Sequence, residues 1–283
     1  MRTGRGPLAR TVVMLALLGC LVSPLAAFSQ DTLAEIKKRG VINVFVEAQY
    51  RPYEFRDQSG EIVGLDIDLA RKMFEEGLGV KCVFTDLDLV GVLGAVLTRK
   101  ADLVISGIVM TQERAKRFDL SIPYSEAGAA VLVRADETRL HGPDDLSGKV
   151  IGTQLGSSSQ KAAEAFDAQL KAQGKPGYAE LKTYERFPTA QQDLLARRLD
   201  AVVQGRPPLK VLIKERPGQF KILSGLGPKA YYGAVVRKGD TALLEYVNGQ
   251  IRKLKQDGTL KALQEKWLGE SDATLPDPWT PLS

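Results

Sequence analysis

The sequence predicts an α/β protein with two lobes between which the chain crosses twice. Short apolar segments alternate with amphipathic helical segments from residue 41 to residue 99, which is typical of a largely parallel sheet covered by helices. The same alternation starts again after Tyr124, and one more strand and two more helices follow Tyr231. A chain of 283 residues is long enough to form two such cores.

The first lobe is predicted over residues 30–126. Leu33 and Ile36 share one face of its first helix, and the next segment is rich in Val, Ile and Phe, as strands are. Thr111 has the side chain that a helix N-cap requires. The elements expected here are a helix at 31–39, strands at 41–47, 80–84 and 103–108, helices at 66–76 and 89–99, a turn at 57–60 and a helix that starts at Thr111.

The second lobe is predicted over residues 127–228, and the chain then returns to the first lobe over residues 229–270. We expect strands at 129–134, 150–152, 180–184, 200–204 and 221–223, with helices at 158–173 and 189–198. The returning segment is expected to form a strand at 232–237 and helices at 243–256 and 259–267. Residues 271–283 are rich in proline and are expected to be irregular.

Residues 1–29 have the pattern of a cleaved secretory signal peptide. Three arginines precede an apolar segment at 11–22 that is too short to span a bilayer comfortably, and small residues follow at 27–29. A lipid anchor at Cys20 is the alternative, but the bulky Leu18 and the apolar residues beyond Cys20 disfavour it. The sequence therefore predicts a periplasmic protein.

Composition and charge exclude several function classes. The formal charge is +5, and removal of a signal with three arginines and no acid leaves about +2, with no basic stripe that would indicate nucleic-acid binding. No phosphate-binding loop and no metal-ligand spacing occurs, so we expect neither a cofactor nor a metal. Without the signal one cysteine remains, Cys82, which we interpret as a small buried core residue.

Four segments carry a resemblance to a known family. The longest is DLVISGIVMTQERAKRFDLSIPY at residues 102–124, and the others are at 52–55, 64–69 and 260–267. In this order they resemble the amino-acid-type extracytoplasmic solute-binding proteins, family 3, of ABC importers. The resemblance implies a type II periplasmic binding protein with two α/β lobes and a double-crossover hinge. It also implies a monomer that binds a small carboxylate ligand and delivers it to ABC permease subunits.

Two loops could bind an anion. Arg114 lies in the first turn of a predicted helix, where a cation opposes the helix dipole but could meet a ligand carboxylate. The alternative is a surface arginine paired with Glu113 or Asp119. The loop at 156–159 precedes another helix, whose free N–H groups attract carboxylate oxygens, and the alternative there is an ordinary serine N-cap.

The resemblance implies roles for further residues. Arg114 matches the arginine that clamps the ligand carboxylate, and Ser157 and Ser158 match the loop that completes this clamp. Gly107 matches a residue whose carbonyl meets the ligand ammonium, Tyr50 an aromatic that packs on the ligand, and Glu47 an acid near the side-chain pocket. The candidate binding residues are Glu47, Tyr50, Gly107, Val109, Thr111, Arg114, Ser157, Ser158 and Gln204.

Three positions depart from the family pattern. Gly205 stands where an aspartate often binds the ligand's α-ammonium, Val109 where a hydroxyl is usual, and Leu89 where a second aromatic often stacks. A buried ammonium without a carboxylate costs several kcal/mol, on the order of 3. Either Glu47 or another acid replaces the missing aspartate, or the ligand is not an α-amino acid.

Two other functions stay open at this point. Some proteins of this fold are enzymes, such as periplasmic cyclohexadienyl dehydratases, but the single histidine, His141, lies in a polar loop that is poorly suited to acid–base catalysis. A free-standing sensory or accessory binding protein is the other alternative. We predict a binding protein without catalytic residues.

Overall fold

The computed structural model of the chain describes residues 31–272 and 274–279. The predicted signal peptide, with its Cys20, and the last residues of the predicted tail lie outside these described residues.

The described elements alternate between helix and strand along most of the chain. The helices are α1 (Thr32–Arg39), α2 (Leu65–Arg71), α3 (Leu89–Leu97), α4 (Gln112–Arg117), α5 (Ser158–Ala172), α6 (Phe187–Leu195), α7 (Arg206–Glu215), α8 (Thr241–Gln256) and α9 (Thr259–Leu268). The strands are β1 (Val41–Val46), β2 (Gln49–Tyr50), β3 (Glu54–Arg56), β4 (Ile62–Val63), β5 (Lys81–Asp86), β6 (Leu103–Val104), β7 (Phe118–Leu120), β8 (Ser125–Arg134), β9 (Val150–Gln154), β10 (Glu180–Tyr184), β11 (Ala201–Gly205), β12 (Phe220–Tyr232) and β13 (Val235–Arg237). A π-helical turn at Lys72–Glu76 extends α2, and a 3₁₀ turn lies at Pro143–Leu146.

The first lobe is built on a sheet with the strand order β5-β1-β6-β13-β7. β1 pairs in parallel with β5 and β6, while β13 runs antiparallel to β6 and β7. Because β13 follows the whole second sheet in the chain, the C-terminal segment returns to the first lobe. Two crossings therefore connect the lobes, as the predicted fold class requires.

The second lobe is built on a sheet with the order β10-β9-β11-β8-β12. β9, β10 and β11 are parallel, and β8 lies antiparallel between β11 and β12. Apolar residues alternate between its two faces, so that Val131 and Val133 pack in one core while Ala130 and Leu132 pack in another. This alternation is the period-two pattern of a strand that is buried on both faces.

The two crossings run side by side as paired strands. Ser125 to Ala127 of β8 pair with Ala230 to Tyr232 of β12, and both strands then continue into the second sheet. The predicted lobe boundaries, after residues 126 and 228, thus fall within β8 and β12. The boundaries themselves stay a prediction, which this pairing supports.

Several predicted elements have different bounds in the structure. The strand expected at 103–108 pairs with β1 only at its first two residues, because the chain then turns through Gly107, whose φ of +50° is left-handed. The strand expected at 221–223 is the long β12, which passes its glycines and proline by register shifts. The strand expected at 232–237 is split between the end of β12 and β13.

Several elements were not expected from the sequence, among them helix α7, strand β7 and the small sheet of β2, β3 and β4. The prolines at 207 and 208 lie in the first turn of α7, where their missing N–H groups have no helical partner to lose. The small sheet of β2, β3 and β4 has strands of two or three residues, too short to show an alternating pattern. Cys82 is a buried free cysteine, as expected.

No helix among the described residues is long and apolar enough to cross a membrane.

Substitution of Leu132 tests the importance of the shared strand β8. Leu132 is completely buried between partners on β11 and β12. We expect Leu132→Ala to lower the free energy of unfolding by about 2–5 kcal/mol, because it leaves a cavity in the core. Leu195→Ala, at a partly exposed leucine, should cost under about 1 kcal/mol in the same urea titration, and equal losses would contradict the packing.

Candidate functional site

A cavity of about 1010 Å³ lies between the two lobes. Its walls come from the loops after β1 and β6, from α3 and α4, and from the start of α5. All of the candidate binding residues except Gln204 line it: Glu47, Tyr50, Gly107, Val109, Thr111, Arg114, Ser157 and Ser158. Gln204 is buried elsewhere and accepts a hydrogen bond from Gln191 of α6, at 3.0 Å, whereas its neighbour Gly205 lines the cavity.

Arg114 reaches across this cavity. The Thr111 hydroxyl accepts a hydrogen bond from the Arg114 backbone N–H and caps α4, as the sequence predicted. The guanidinium donates to the carbonyl of Val109, at 2.7 Å, and to that of Gly156 in the second lobe, at 3.3 Å. Among the described residues it forms no ion pair, so the alternative of a surface pair with Glu113 or Asp119 is not what the structure shows.

Partial desolvation of this side chain affects its charge. It lowers the pKa of the Arg114 guanidinium to about 10, because removal of water disfavours the charged form. Two carbonyl oxygens solvate the charge without neutralising it. The position therefore favours an anion more strongly than an exposed arginine would.

The start of α5 faces Arg114 from the second lobe. Ser157 is the N-cap, and its hydroxyl donates to the Gln154 carbonyl and accepts from the Gln160 N–H. Gly156, with φ of +72°, turns the chain so that its carbonyl meets Arg114. A helix of 15 residues with its N-terminus at a cavity wall provides N–H donors and a positive dipole end for a carboxylate.

Two further contacts join the lobes across the cavity. Gln154 Nε2 donates to Glu47 Oε1 at 2.6 Å, and Arg186 donates to Asp86 Oδ1 at 3.2 Å. Glu47 is 3% exposed. Burial raises the pKa of its carboxyl to about 7, while the hydrogen bond from Gln154 and the charge of Arg186 act in the opposite direction. Together with the bond from Arg114 to Gly156, these contacts connect the two lobes directly.

Aromatic side chains form the inner wall. The hydroxyls of Tyr50 and Tyr232 are hydrogen-bonded to each other at 2.9 Å, and the ring of Tyr50 packs on those of Tyr53 and Phe187. Gly205 lies directly against this hydroxyl pair.

Sequence reasoning missed Gln154, Phe187 and Tyr232. Gln154 ends a strand directly before the expected binding loop, a position that could have suggested a role, since ligands meet the carboxyl ends of parallel strands. No local signal distinguishes Tyr232 from the adjacent Tyr231. Within the described part of the chain, no group of three His, Cys, Asp or Glu side chains could hold a metal ion.

The sequence profile of the bacterial extracellular solute-binding proteins, family 3, matches residues 42–270. The L-cystine-binding protein TcyJ of Escherichia coli is 30% identical over 267 residues, which cover 94% of this chain and 96% of the relative. The arginine-binding protein 1 of an ABC transporter of Escherichia coli is 30% identical over 251 residues, with 87% and 97% covered.

Solved structures agree with these sequence relatives. An arginine-binding protein of T. maritima is 35% identical with a TM-score of 0.74, covering 84% of this chain and 99% of its own. The ancestral amino acid-binding protein AncCDT-1, a precursor of cyclohexadienyl dehydratase, is 34% identical with a TM-score of 0.75 and the same coverage. The chain belongs to family 3 of the bacterial extracellular solute-binding proteins and has their type II periplasmic binding protein fold.

The raised pKa of Glu47 predicts a pH-dependent contribution to stability. The folded-state pKa of about 7 lies above the ordinary value of 4.5, so the folded protein favours the protonated carboxyl. This contribution is fully present below about pH 4.5 and is lost as the pH rises through about 7. We expect Glu47→Gln, which keeps an acceptor for Gln154, to gain unfolding free energy relative to the native protein over this interval.

The measurement is urea unfolding at a series of pH values. Glu245→Gln, at an exposed glutamate of α8, is the control and should follow the native protein. A difference between Glu47→Gln and the native protein that does not change with pH would contradict the burial of this carboxyl.

Proposed function

We propose that this solute-binding protein captures a small carboxylate-bearing ligand, an amino acid or a related organic acid, and presents it to the permease of an ABC importer. The observation that carries the proposal is the partly buried guanidinium of Arg114, whose hydrogen-bond partners are carbonyls of both lobes. A ligand carboxylate would give this cation the anion that the described residues do not supply.

The surroundings of Arg114 support a carboxylate over other anions. The guanidinium presents a planar pair of donors, which matches the two oxygens of a carboxylate. The N-terminus of α5, at Ser157 and Ser158, adds backbone donors from the opposite wall. Lining residues other than these are largely apolar or aromatic, as expected for a site that encloses a small organic molecule.

Closure of the lobes would couple binding to delivery. The paired strands β8 and β12 form the connection about which such a movement can occur. The contacts of Arg114 with Gly156 and of Glu47 with Gln154 join the lobes directly at the ligand cavity. We infer a periplasmic monomer with lobes at 30–126 plus 229–270 and at 127–228, exported by the segment at 1–29, that binds without a cofactor and recognises permease subunits when closed.

The environment of Glu47 favours a second candidate function, that of an enzyme with the same fold. A buried glutamate with a pKa near neutrality is what a general acid would require. His141 is exposed and is not among the cavity residues, so it gives this candidate no support. The two functions differ in outcome: a binding protein returns its ligand unchanged after prolonged incubation, which mass spectrometry detects, whereas an enzyme returns a product.

Removal of the Arg114 side chain tests carboxylate capture. A thermal-shift panel of the common amino acids and small organic acids identifies ligands, because a ligand that binds the folded state raises the unfolding temperature. For the tightest of these, we expect Arg114→Ala to weaken binding roughly 100-fold in calorimetry and Arg114→Lys to weaken it less, since lysine keeps the charge and loses the paired donors.

The matched control is Arg216→Ala, at an exposed arginine that does not line the cavity, and its affinity should equal that of the native protein. The unfolding temperature of ligand-free Arg114→Ala should change little, because removal of a partly desolvated cation offsets the loss of its two hydrogen bonds to carbonyls. Unchanged affinity in Arg114→Ala, or no binding by any carboxylate of the panel, would refute the proposal.

A further inference from the structure

The hydroxyl pair of Tyr50 and Tyr232 fills the space that a side chain at residue 205 would occupy. A Cβ placed on Gly205 would lie 2.4 Å from the Tyr50 hydroxyl oxygen and 2.6 Å from that of Tyr232. A Cβ on Gly107 would likewise meet the Tyr50 ring at 2.6 Å. These glycines therefore seat Tyr50 between the two lobes, inside the ligand cavity.

The tyrosine pair lies next to the carboxylate clamp. Tyr232 forms a β-bridge with Val109, whose carbonyl accepts the hydrogen bond from Arg114. The same cavity is lined by Tyr50, Val109, Arg114 and Tyr232. Tyr232 and Tyr50 also act electrostatically on Arg114, so a substituent next to a carboxylate held by Arg114 would share this part of the cavity with the tyrosine hydroxyls.

This end of the cavity offers hydrogen bonds without negative charge. Burial raises the pKa of Tyr50 and of Tyr232, so both hydroxyls stay neutral. One hydroxyl donates to the other, which leaves one O–H free to donate to a ligand. A free O–H donor suits a hydroxyl or carbonyl oxygen, whereas an ammonium has donors alone and needs an anion.

The acids among the described cavity residues do not provide that anion at this place. Glu113 lies on the exposed side of α4. Glu47 already accepts the hydrogen bond from Gln154, and burial raises its pKa to about 7, so its carboxyl is only partly ionised at neutral pH. An ammonium next to the ligand carboxylate would thus be buried against neutral hydroxyls.

We propose that the ligand is a carboxylic acid with an uncharged oxygen, a hydroxyl or an oxo group, on the α-carbon, bound by the Tyr50–Tyr232 pair over Gly205. The proposal rests on carboxylate capture by Arg114 and makes that function more specific. Tyr232 and Gly205 are then residues that determine specificity.

The test compares acids that share a carbon skeleton. Three series are used: alanine, lactate, pyruvate and propionate; aspartate, malate, oxaloacetate and succinate; phenylalanine, phenyllactate, phenylpyruvate and phenylpropionate. In the series that fits the cavity, calorimetry should show the hydroxy or oxo acid binding at least about tenfold more tightly than the amino acid. Tyr232→Phe should weaken the oxygenated acid by about fivefold and leave the acid without an α-substituent unchanged.

Tighter binding of the amino acid would overturn the inference. If Arg114→Ala still abolished that binding, carboxylate capture would stand, and a loss in Glu47→Gln would identify Glu47 as the partner of the ammonium. Binding by none of the acids would overturn both proposals.

A second inference concerns two buried acids behind the cavity wall. Glu54 and Asp66 are completely buried, and their carboxyl groups lie against each other. Glu54 Oε1 accepts from the Ser106 hydroxyl, and Asp66 Oδ2 accepts from the N–H of Gly107 and the hydroxyl of Tyr124, all at 2.8 Å. Glu54 Oε2 and Asp66 Oδ1 have no hydrogen-bond donor among the described residues.

A single proton accounts for both orphaned oxygens. Two ionised carboxylates in contact and out of water repel each other, and one proton between them removes the repulsion. Asp66 has two other donors and Glu54 has one, so the negative charge is better stabilised on Asp66. Burial raises the pKa of Glu54 well above its usual range. The other titratable groups that face the pair are Glu47, Tyr50, Tyr53, Tyr124 and Tyr232.

The geometry points to Glu54 and Asp66 as positioning residues that share one proton, with Glu54 neutral, and that hold the ligand-facing loop at Ser106 and Gly107. Through Tyr124, which directly precedes β8, the same pair joins this loop to the start of the inter-lobe connection. Neither carboxyl is among the residues that line the cavity, so their effect on the ligand passes through the loop.

Isosteric amides test this assignment. Glu54→Gln keeps a donor toward Asp66. Its affinity for the tightest-binding acid of the series should stay within about threefold of that of the native protein. Asp66→Asn moves the charge to Glu54, which has fewer donors, and should weaken binding by at least about fivefold. Native affinity should also fall at mildly alkaline pH, below the Arg114 pKa of about 10, as Glu54 loses its proton, and the fall in this range should be absent in Glu54→Gln.

A loss in Glu54→Gln as large as that in Asp66→Asn, or an alkaline fall that persists in Glu54→Gln, would overturn the assignment. If Asp66→Asn does not fold, the pH profiles of the native protein and of Glu54→Gln still decide.

Discussion

The hydrogen bonds of Arg114 to carbonyls of both lobes are the interaction on which the site depends. They place a partly buried cation at the meeting of Val109 and Gly156, with no ion-pair partner among the described residues. A cation in this position costs free energy until an anion arrives, so the same contact that closes the lobes creates the demand for a ligand. Binding and closure are then two aspects of one electrostatic requirement.

The fold places the groups that meet this requirement. The loop after β6 carries Gly107 and leads to α4, while β9 leads to Ser157 and α5 in the other lobe. These two loops face each other because the paired strands β8 and β12 connect the two sheets. The loop of the first lobe is held from behind by Asp66, and that of the second by the cap of α5. Ordered backbone therefore supports the charge from both sides.

The parts of the site that depend on local signals were predictable from the sequence. Thr111 and Ser157 mark helix starts by their side chains alone, and both are N-caps in the structure. The contact of Glu47 with Gln154 joins residues 107 positions apart, and the Tyr50–Tyr232 pair joins residues 182 apart, so no local pattern contains them. Gly205 was recognisable as a departure from the family pattern. The reason for a glycine there is that the hydroxyls of two distant residues, Tyr50 and Tyr232, fill the space of a side chain. Helix α7 was not expected from the sequence, and its two prolines are compatible with a helix because they lie in its first turn.

The most direct measurement is a crystal structure of the protein with the tightest-binding acid found in solution. The account predicts that the ligand carboxylate lies on the Arg114 guanidinium and meets the backbone N–H groups at the start of α5, with the two lobes closed around it. A ligand bound elsewhere in the cavity, with Arg114 still hydrogen-bonded to the carbonyls of Val109 and Gly156 alone, would contradict the account.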